Sequence, residues 1–508
     1  MKSFMTIKAL REALDKKEFS AAEVSSFYRA QIKKHNTKLN AVIETFDGES
    51  LADVAPAKAG VQTIISNFEV LPESLDSGLR RNDDSTGPLS GIPCLVKDLI
   101  CQKDHISSAG SKILANYVAP YDATVIERIK AAGSYSLGRA NCDEFAMGGS
   151  GEHSAYGPTC NPWDLERVPG GSSSGSAAAV AAGMVPFALG TETGGSVRQP
   201  SSFCNLVGLY PTYGHNSRYG IIPFASSNDQ VGPITHTVYD NALITSILSG
   251  HDNRDSTSIA MGPQDYTKGL DGRFPAGLRI GVIRDSLEAE GVDSQVRAAF
   301  EASVEQLKKS GVTVKVIDLP NLKYGIAVYF IISRAEAASN LSRFDGSLYG
   351  MRAKEKDNLF EMYLKTRQEG FGVEVKRRIL TGNYVLSAGH RDAYYTKAAQ
   401  VRSLIRAEFT EAFKEVDVMI SPTVSMLPFK IGALSHDPVA MYMADYFNVP
   451  NCAIGTPGLS VPCGFSREGL PIGIQFLGPR LSEALLYKVG HAFESLNDYH
   501  LRHPASYG

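Results

Sequence analysis

Apolar residues recur every three to four positions in some stretches of the chain and cluster in short unbroken blocks in others. Ser20 and Glu23 form an S-x-x-E pair ahead of Val24, Phe27, Tyr28 and Ile32. That spacing predicts a capped helix with the four apolar residues on one face. A short strand is predicted over 39–45. Residues 92–96 are continuously apolar and predict a buried strand running straight into Lys97 and Asp98. Farther on, 278–283 reads as a strand, 292–309 as a helix with Val296, Ala299, Phe300 and Leu307 on one side, and 312–319 as another strand. Such a unit lays its strands parallel in a common sheet. A long helix is predicted over about 392–413, then a strand over 416–420. A hairpin joins 459–465 to 472–476 across Arg467-Glu468-Gly469, and a last helix covers about 482–496. No internal repeat is visible. Strands mixed with helices along the whole length predict an α/β fold, one sheet covered on both faces.

Two stretches break this rhythm. Residues 72–88 are rich in Ser, Asp, Arg and Gly and predict an exposed loop. Residues 133–233 are rich in Gly and Ser with little periodicity, a composition that also suits linkers. They are interleaved with Phe145, Met147, Tyr156, Trp163, Phe187, Phe203 and Tyr219, so the segment is expected to pack. Glycines within packed chain bring backbone close to something, which makes this the place to look for a site.

Composition narrows the field. Of 508 residues, 43% are hydrophobic and 21% charged, and 51 basic against 54 acidic side chains leave a formal charge of −3. No basic face is available to wrap nucleic acid, so any RNA would be gripped by another subunit. Seven cysteines are scattered without a C-x-x-C pair, which argues against a disulfide framework or zinc site and for a reducing compartment. The first 20 residues mix charges of both signs and resemble neither a signal nor a transit peptide. The longest small-apolar run, 177–185, falls short of the roughly 20 residues a membrane span requires. A soluble cytoplasmic protein is expected.

Three features offer chemistry: Gly170-Gly171-Ser172-Ser173-Ser174-Gly175-Ser176 leading into a small-residue helix over 177–183, Gly190-Thr191-Glu192-Thr193-Gly194-Gly195-Ser196, and Lys97 at the end of its apolar strand. Singly, each has an ordinary explanation: a flexible cap, a turn, and a lysine paired with Asp98 or solvated. The glycine loop is not a P-loop, since no G-K-[ST] closes it. Gly171 to Gly175 fits G-x-S-x-G with Ser173 as nucleophile, but that elbow needs a preceding strand and a histidine partner. The charged 164–169 segment ending in Pro does not suit one. No H-E-x-x-H or Cys/His cluster suggests a metal.

Together, however, 170–183 and the following G-T-E-T-G-G-S-V-R-Q-P resemble the signature segment of the amidase signature family. Lys97 precedes Ser172 by 75 positions and Ser172 precedes Ser196 by 24, as in that family. The likeness extends along nearly the whole chain: N-C-D-E-F-A-M-G-G (141–149), N-P-W-D-L-E-R-V-P-G-G (161–171), F-A-S-S-N-D-Q-V-G-P (224–233), V-K-R-R-I (375–379), 392–395, and D-P-V-A-M-Y-M-A-D (437–445). The later segments resemble the branch whose members are glutaminase subunits of tRNA-dependent amidotransferases. The chain departs from that pattern at Leu99, His153, Tyr210, His215 and Asn451-Cys452-Ala453-Ile454, none of them in the triad.

The resemblance implies one amidase signature domain over 1–508, a large mixed sheet sandwiched between helices (α/β/α). A helical arm would occupy about 1–70, the catalytic core about 90–235, and the rest of the sheet and substrate pocket about 275–508. It implies a Ser-cisSer-Lys triad: neutral Lys97 draws a proton from Ser172, Ser172 draws one from Ser196, and Ser196 attacks an amide. A serine hydroxyl needs such a base, and a lysine is one only when desolvation keeps it neutral. The N–H groups of Thr193, Gly194, Gly195 and Ser196 would hold the oxyanion. By the same resemblance Arg378 forks onto the glutamine carboxylate, Asp445 meets the amino group, Tyr329 offers a hydroxyl, and Met147 lines the pocket with Asn141, Asp143 and Gln230. The ordinary alternatives are a solvated Lys-Arg-Arg run for Arg378 and a helix-surface carboxylate for Asp445. The implied function is glutamine hydrolysis that feeds ammonia to a tRNA-binding amidotransferase subunit, accompanied by a small third subunit, converting Glu-tRNA(Gln) or Asp-tRNA(Asn). ATP and magnesium would serve the partner's activation step, with no cofactor or metal in this chain. The rivals are a stand-alone amidase of the same family, an esterase using Ser173, and a non-catalytic scaffold.

Overall fold

The computed structural model describes residues 1–46, 87–354 and 357–507. Most of the loop expected over 72–88, and the end of the arm expected to reach about 70, lie outside the described residues. Among the described residues eleven strands form one sheet. In chain order they are β1 (Val42–Thr45), β2 (Pro93–Lys97), β3 (Tyr135–Ala140), β4 (Phe187–Glu192), β5 (Val207–Tyr210), β6 (Gln230–Thr235), β7 (Arg279–Ile283), β8 (Thr313–Ile317), β9 (Val418–Pro422), β10 (Gly458–Phe465) and β11 (Pro471–Leu477). They lie in the order β1-β3-β2-β4-β6-β5-β10-β11-β9-β7-β8. β2 runs parallel to β3 and β4, and β7 parallel to β8 and β9, while the hairpin β10–β11 and the remaining pairs are antiparallel. This is the expected mixed α/β sheet with helices packed on it.

The capping box is present: Ser20 Oγ accepts from the Glu23 N–H, and Glu23 returns a bond to the Ser20 N–H. Val24, Tyr28 and Ile32 of the Ala21–Leu39 helix are buried against the Ser174–Ala181 helix in one apolar core. Where a strand was expected from 39, the helix continues to Leu39, and Asn40 turns the chain with a positive φ of 49°, so β1 starts at Val42. The strand expected over 416–420 is shifted to Val418–Pro422. The long helix expected from Asp392 opens as a π turn, Asp392–Thr396, and is α-helical over Lys397–Glu415.

Four strands, β3 to β6, arise inside the Gly/Ser-rich stretch. Every residue in them is buried, so no polar–apolar alternation marks them in the sequence. Helices at Gly325–Asn340, Leu359–Gly370, Val373–Leu386 and Val449–Ile454 were likewise not predicted. Two of these carry Tyr329 and Arg378. Among the described residues no helix is long and apolar enough to cross a membrane, and all seven cysteines are free.

Candidate active site

Lys97 is the last residue of β2 and is completely buried. Its Nζ lies 2.7 Å from Ser172 Oγ, 3.0 Å from Ser173 Oγ and 3.1 Å from the Thr191 carbonyl oxygen. Asp98 is not its partner. That carboxylate is occupied by Arg139, by the Ser108 N–H and hydroxyl, and by the Gly110 N–H. Burial drives the Lys97 amine down to about 8, against the pull of Cys142, Asp143, Asp229 and Glu192, which favour the charged form.

Hydrogen accounting at Nζ is informative. Thr191 O can only accept, so Nζ donates to it. The Ser173 hydroxyl donates to the same carbonyl at 3.1 Å, so it accepts from Nζ. A neutral amine has two N–H bonds, and both are then used. Its lone pair is left for Ser172, whose O–H can donate to it.

The segment that supplies Ser172 is held on several sides. Gly171–Ser172 is a cis peptide bond. The Gly171 N–H donates to Gln199 Oε1 (2.9 Å), and the Asp143 N–H to the Ser172 carbonyl (3.1 Å). The Ser173 N–H donates to the Ser196 carbonyl at 3.2 Å, which sets the Ser172 and Ser196 turns side by side. The Ser196 hydroxyl itself makes no hydrogen bond to Ser172 among the described residues.

Beyond β4 the turn is shaped by Glu192. Its Oε2 accepts from the Val197 and Arg198 N–H groups, both at 3.0 Å, and its Oε1 pairs with buried Arg198. The N–H groups of Thr193, Gly194, Gly195 and Ser196 find no backbone acceptor among the described residues. That leaves a row of backbone donors on the turn without a backbone acceptor, while Glu192 caps the two N–H groups that follow.

The paired glycines have a steric cause. A Cβ on Gly194 would sit 2.6 Å from the Tyr329 ring, and one on Gly195, at φ 134°, 2.3 Å from Asp445 Oδ1. Tyr329, on the Gly325–Asn340 helix, and Asp445 therefore press directly on the donor-bearing turn. Asp445 is half-buried, its carboxylate meeting only Asn448 (3.4 Å) among the described side chains, and desolvation followed by repulsion from Glu192 pushes its carboxyl well up. It is not a surface carboxylate. Nor is Arg378 a solvated one of a basic run: on the Val373–Leu386 helix its side chain is 3% exposed. It donates from Nε to Glu374 Oε1 at 2.8 Å and lies among the rings of Phe224, Phe330 and Tyr442. Met147 is buried in the apolar cluster that also contains Tyr329 and Phe224.

Other expected pocket residues brace the backbone. Asn141 ties Asn40 to Gly157, Asp143 accepts from the Gly151 and His153 N–H groups, and the Gln230 amide donates to the Asp229 carbonyl. Ser173, weighed in the sequence only as a rival nucleophile, is a lysine partner, and three groups were not foreseen: Glu374, Asp229 and the Glu192–Arg198 pair. Asp229 accepts from the Thr193 hydroxyl at 2.7 Å and is pushed up to about 6 by burial. Arg198 also reaches Asn448 O, Asn451 Oδ1, Gln475 and Cys452 Sγ. The glutamates sit in T-E-T and V-E-V contexts that look like ordinary charged positions, and only their burial distinguishes them. Among the departures, Leu99 joins the apolar cluster, Tyr210 donates to Asn228 O (2.9 Å), and His215 pairs with the Tyr266 hydroxyl (2.6 Å).

A cavity of about 520 Å³ lies beside this group, with Glu144, Glu152, His153, Glu374 and Arg377 in its wall. No cluster of three or more His, Cys, Asp or Glu suited to a metal ion occurs among the described residues.

Residues 51–487 match the protein-family model described as Amidase. The chain is 47% identical over 500 residues to the glutamyl-tRNA(Gln) amidotransferase A subunit of Thiobacillus denitrificans, covering 98% of each chain. It is 45% identical over 490 residues to the protein of that name from Koribacter versatilis, covering 96% of this chain and 98% of the other. Among solved structures it resembles the glutamyl-tRNA(Gln) amidotransferase A subunit of Thermotoga maritima, with 36% identity and a TM-score of 0.78 over 97% of this chain and 94% of that one. It also resembles 6-aminohexanoate cyclic dimer hydrolase complexed with substrate, with 25% identity and a TM-score of 0.83 over all of both chains.

Proposed function

The chain belongs to the amidase family, and from that premise we propose that it is the glutamine-hydrolysing subunit of a tRNA-dependent amidotransferase. The observation behind the chemistry is the contact of a fully buried lysine, its amine brought down to about 8 by burial, with a serine hydroxyl at 2.7 Å. The relatives' shared name supports the biological role.

An amide is a poor electrophile with a poor leaving group, so three things must be supplied. Neutral Lys97 accepts the Ser172 proton as Ser172 takes the proton of Ser196, and Ser196 Oγ bonds to the side-chain carbonyl carbon of glutamine. The carbonyl electrons move onto oxygen, which the N–H groups of residues 193–196 receive; one such donor is worth about 3 kcal/mol of barrier. Collapse of the intermediate breaks the C–N bond, and the proton returns through Ser172 to the departing ammonia. Water, activated by the same relay, then cleaves the acyl-serine and releases glutamate. Arg378 receives the α-carboxylate as a planar fork, Asp445 receives the α-ammonium, Tyr329 offers its hydroxyl, and Met147 closes the apolar wall.

The ammonia passes to a tRNA-binding amidotransferase subunit, with a small third subunit completing a cytoplasmic heterotrimer. There ATP and magnesium serve activation of Glu-tRNA(Gln) or Asp-tRNA(Asn). The test is amidation of the misacylated tRNA by the complex purified from its source. Ser196→Ala is expected to abolish amidation supported by glutamine while leaving amidation supported by ammonium chloride. Retention of glutamine-supported amidation in that variant sinks the proposal. Isolation of the chain alone, hydrolysing simple amides at full rate, would favour the stand-alone amidase instead.

A further inference from the structure

We infer that Glu374 is a positioning residue for glutamine, holding Arg378 by its Nε so that the two outer nitrogens of the guanidinium stay free for the substrate α-carboxylate. This rests on Arg378 being the carboxylate anchor, as proposed above.

Glu374 and Arg378 are one turn apart on the Val373–Leu386 helix, with side chains 5% and 3% exposed. A guanidinium buried to that extent requires a counter-charge. The usual solution, a fork-to-fork pair, would use two of its N–H groups on one carboxylate and compete with a substrate carboxylate for the same geometry. Here the carboxylate is divided. Oε1 accepts from Arg378 Nε (2.8 Å) and from the Tyr442 hydroxyl (3.0 Å), while Oε2 is engaged by Arg377. Neither outer nitrogen of Arg378 meets an acceptor among the described residues. The rings of Phe224, Phe330 and Tyr442, 5.5 to 5.8 Å from the guanidinium carbon, fix its plane without using its hydrogens. Tyr442 belongs to the Pro438–Met443 helix just before Asp445, so the residue that steadies Glu374 also belongs to the element that presents the ammonium partner. Burial pushes the Glu374 carboxyl up, but the Arg378 charge and hydrogen bond and the Tyr442 hydroxyl outweigh it. The group is left below its ordinary value and anionic when glutamine arrives.

The test is steady-state glutamine hydrolysis by the full chain in its native complex. Glu374→Gln is expected to raise KM for glutamine about tenfold with kcat changed less than twofold, the loss typical of one charge-assisted hydrogen bond. Hydrolysis of a simple amide without an α-carboxylate should be unchanged. In an Arg378→Ala background the same substitution should change KM less than twofold, because Glu374 acts through Arg378. An unchanged KM in Glu374→Gln, or a full tenfold loss repeated on top of Arg378→Ala, overturns the inference. An unchanged KM in Arg378→Ala instead overturns the assignment of the anchor itself. If Glu374→Gln does not fold, Tyr442→Phe removes one bond to the same oxygen. A KM raised two- to threefold supports the role, and an unchanged one refutes it.

Discussion

The two sides of the candidate site are built differently. On one side Lys97, Ser172, Ser173 and the 193–196 turn sit at strand ends and tight turns, and most of their hydrogen bonds run to backbone. On the other, Tyr329 and Arg378 are side chains presented by separate helices and Asp445 by the turn after a third, and Arg378 and Asp445 are held by other side chains. The first arrangement fixes reacting atoms through main chain that has little freedom. The second places charges that can be exchanged without disturbing the sheet. Chemistry should therefore fail in kcat and recognition in KM.

The sharpest way to break that division is at the triad. Ser196→Ala and Lys97→Ala should each lower kcat for glutamine by about 10⁴-fold with little change in KM, read by single-turnover hydrolysis. Next comes the seam between the sides. Gly195→Ala places a Cβ 2.3 Å from Asp445 Oδ1 on a backbone with positive φ. It should cost about 10²-fold in kcat/KM through both parameters, so a pure KM effect would show that the turn is not part of the chemistry. Arg378→Ala should raise KM about 10- to 100-fold at nearly constant kcat.

A smaller effect comes from pH. The folded-state value of Lys97 is depressed to about 8 by burial, so the neutral, reactive form is lost as pH falls below it. kcat should drop about fivefold from pH 8 to pH 7 and level off above about 9. A flat profile would mean that the lysine is not the base. Smallest is a control outside both sides. Glu23→Ala removes one arm of the capping box and should lower the denaturant midpoint slightly, with kcat untouched.

The same division decides what the sequence could reveal. The turns carrying Ser172 and Ser196 use particular residue types at fixed spacing, with glycines where a Cβ would strike Tyr329 or Asp445, so they leave a readable motif. Lys97 was visible as a lone cation closing an apolar run. The recognition side left no such trace. Arg378 lies in a basic run indistinguishable from a solvated one, and its burial follows from how three helices meet. Glu374 is a one-letter feature of a helix that was itself not predicted. Strands β3 to β6 escaped for a related reason: buried on both faces and rich in Gly and Ser, they show neither alternation nor an unbroken apolar run. The hairpin β10–β11, by contrast, was marked by its flanking apolar blocks and the Gly469 turn.

Arg198 has a consequence for how the molecule keeps its tolerances. It stems from the short helix after the 193–196 turn, grips Glu192 ahead of that turn, and reaches across to Asn448, Asn451 and Cys452 just past Asp445. One guanidinium thus rivets the reacting half to the recognising half. Moving either wall would strain the same buried ion pair, so a single side chain ties the spacing of the 193–196 turn to that of the Asp445 segment.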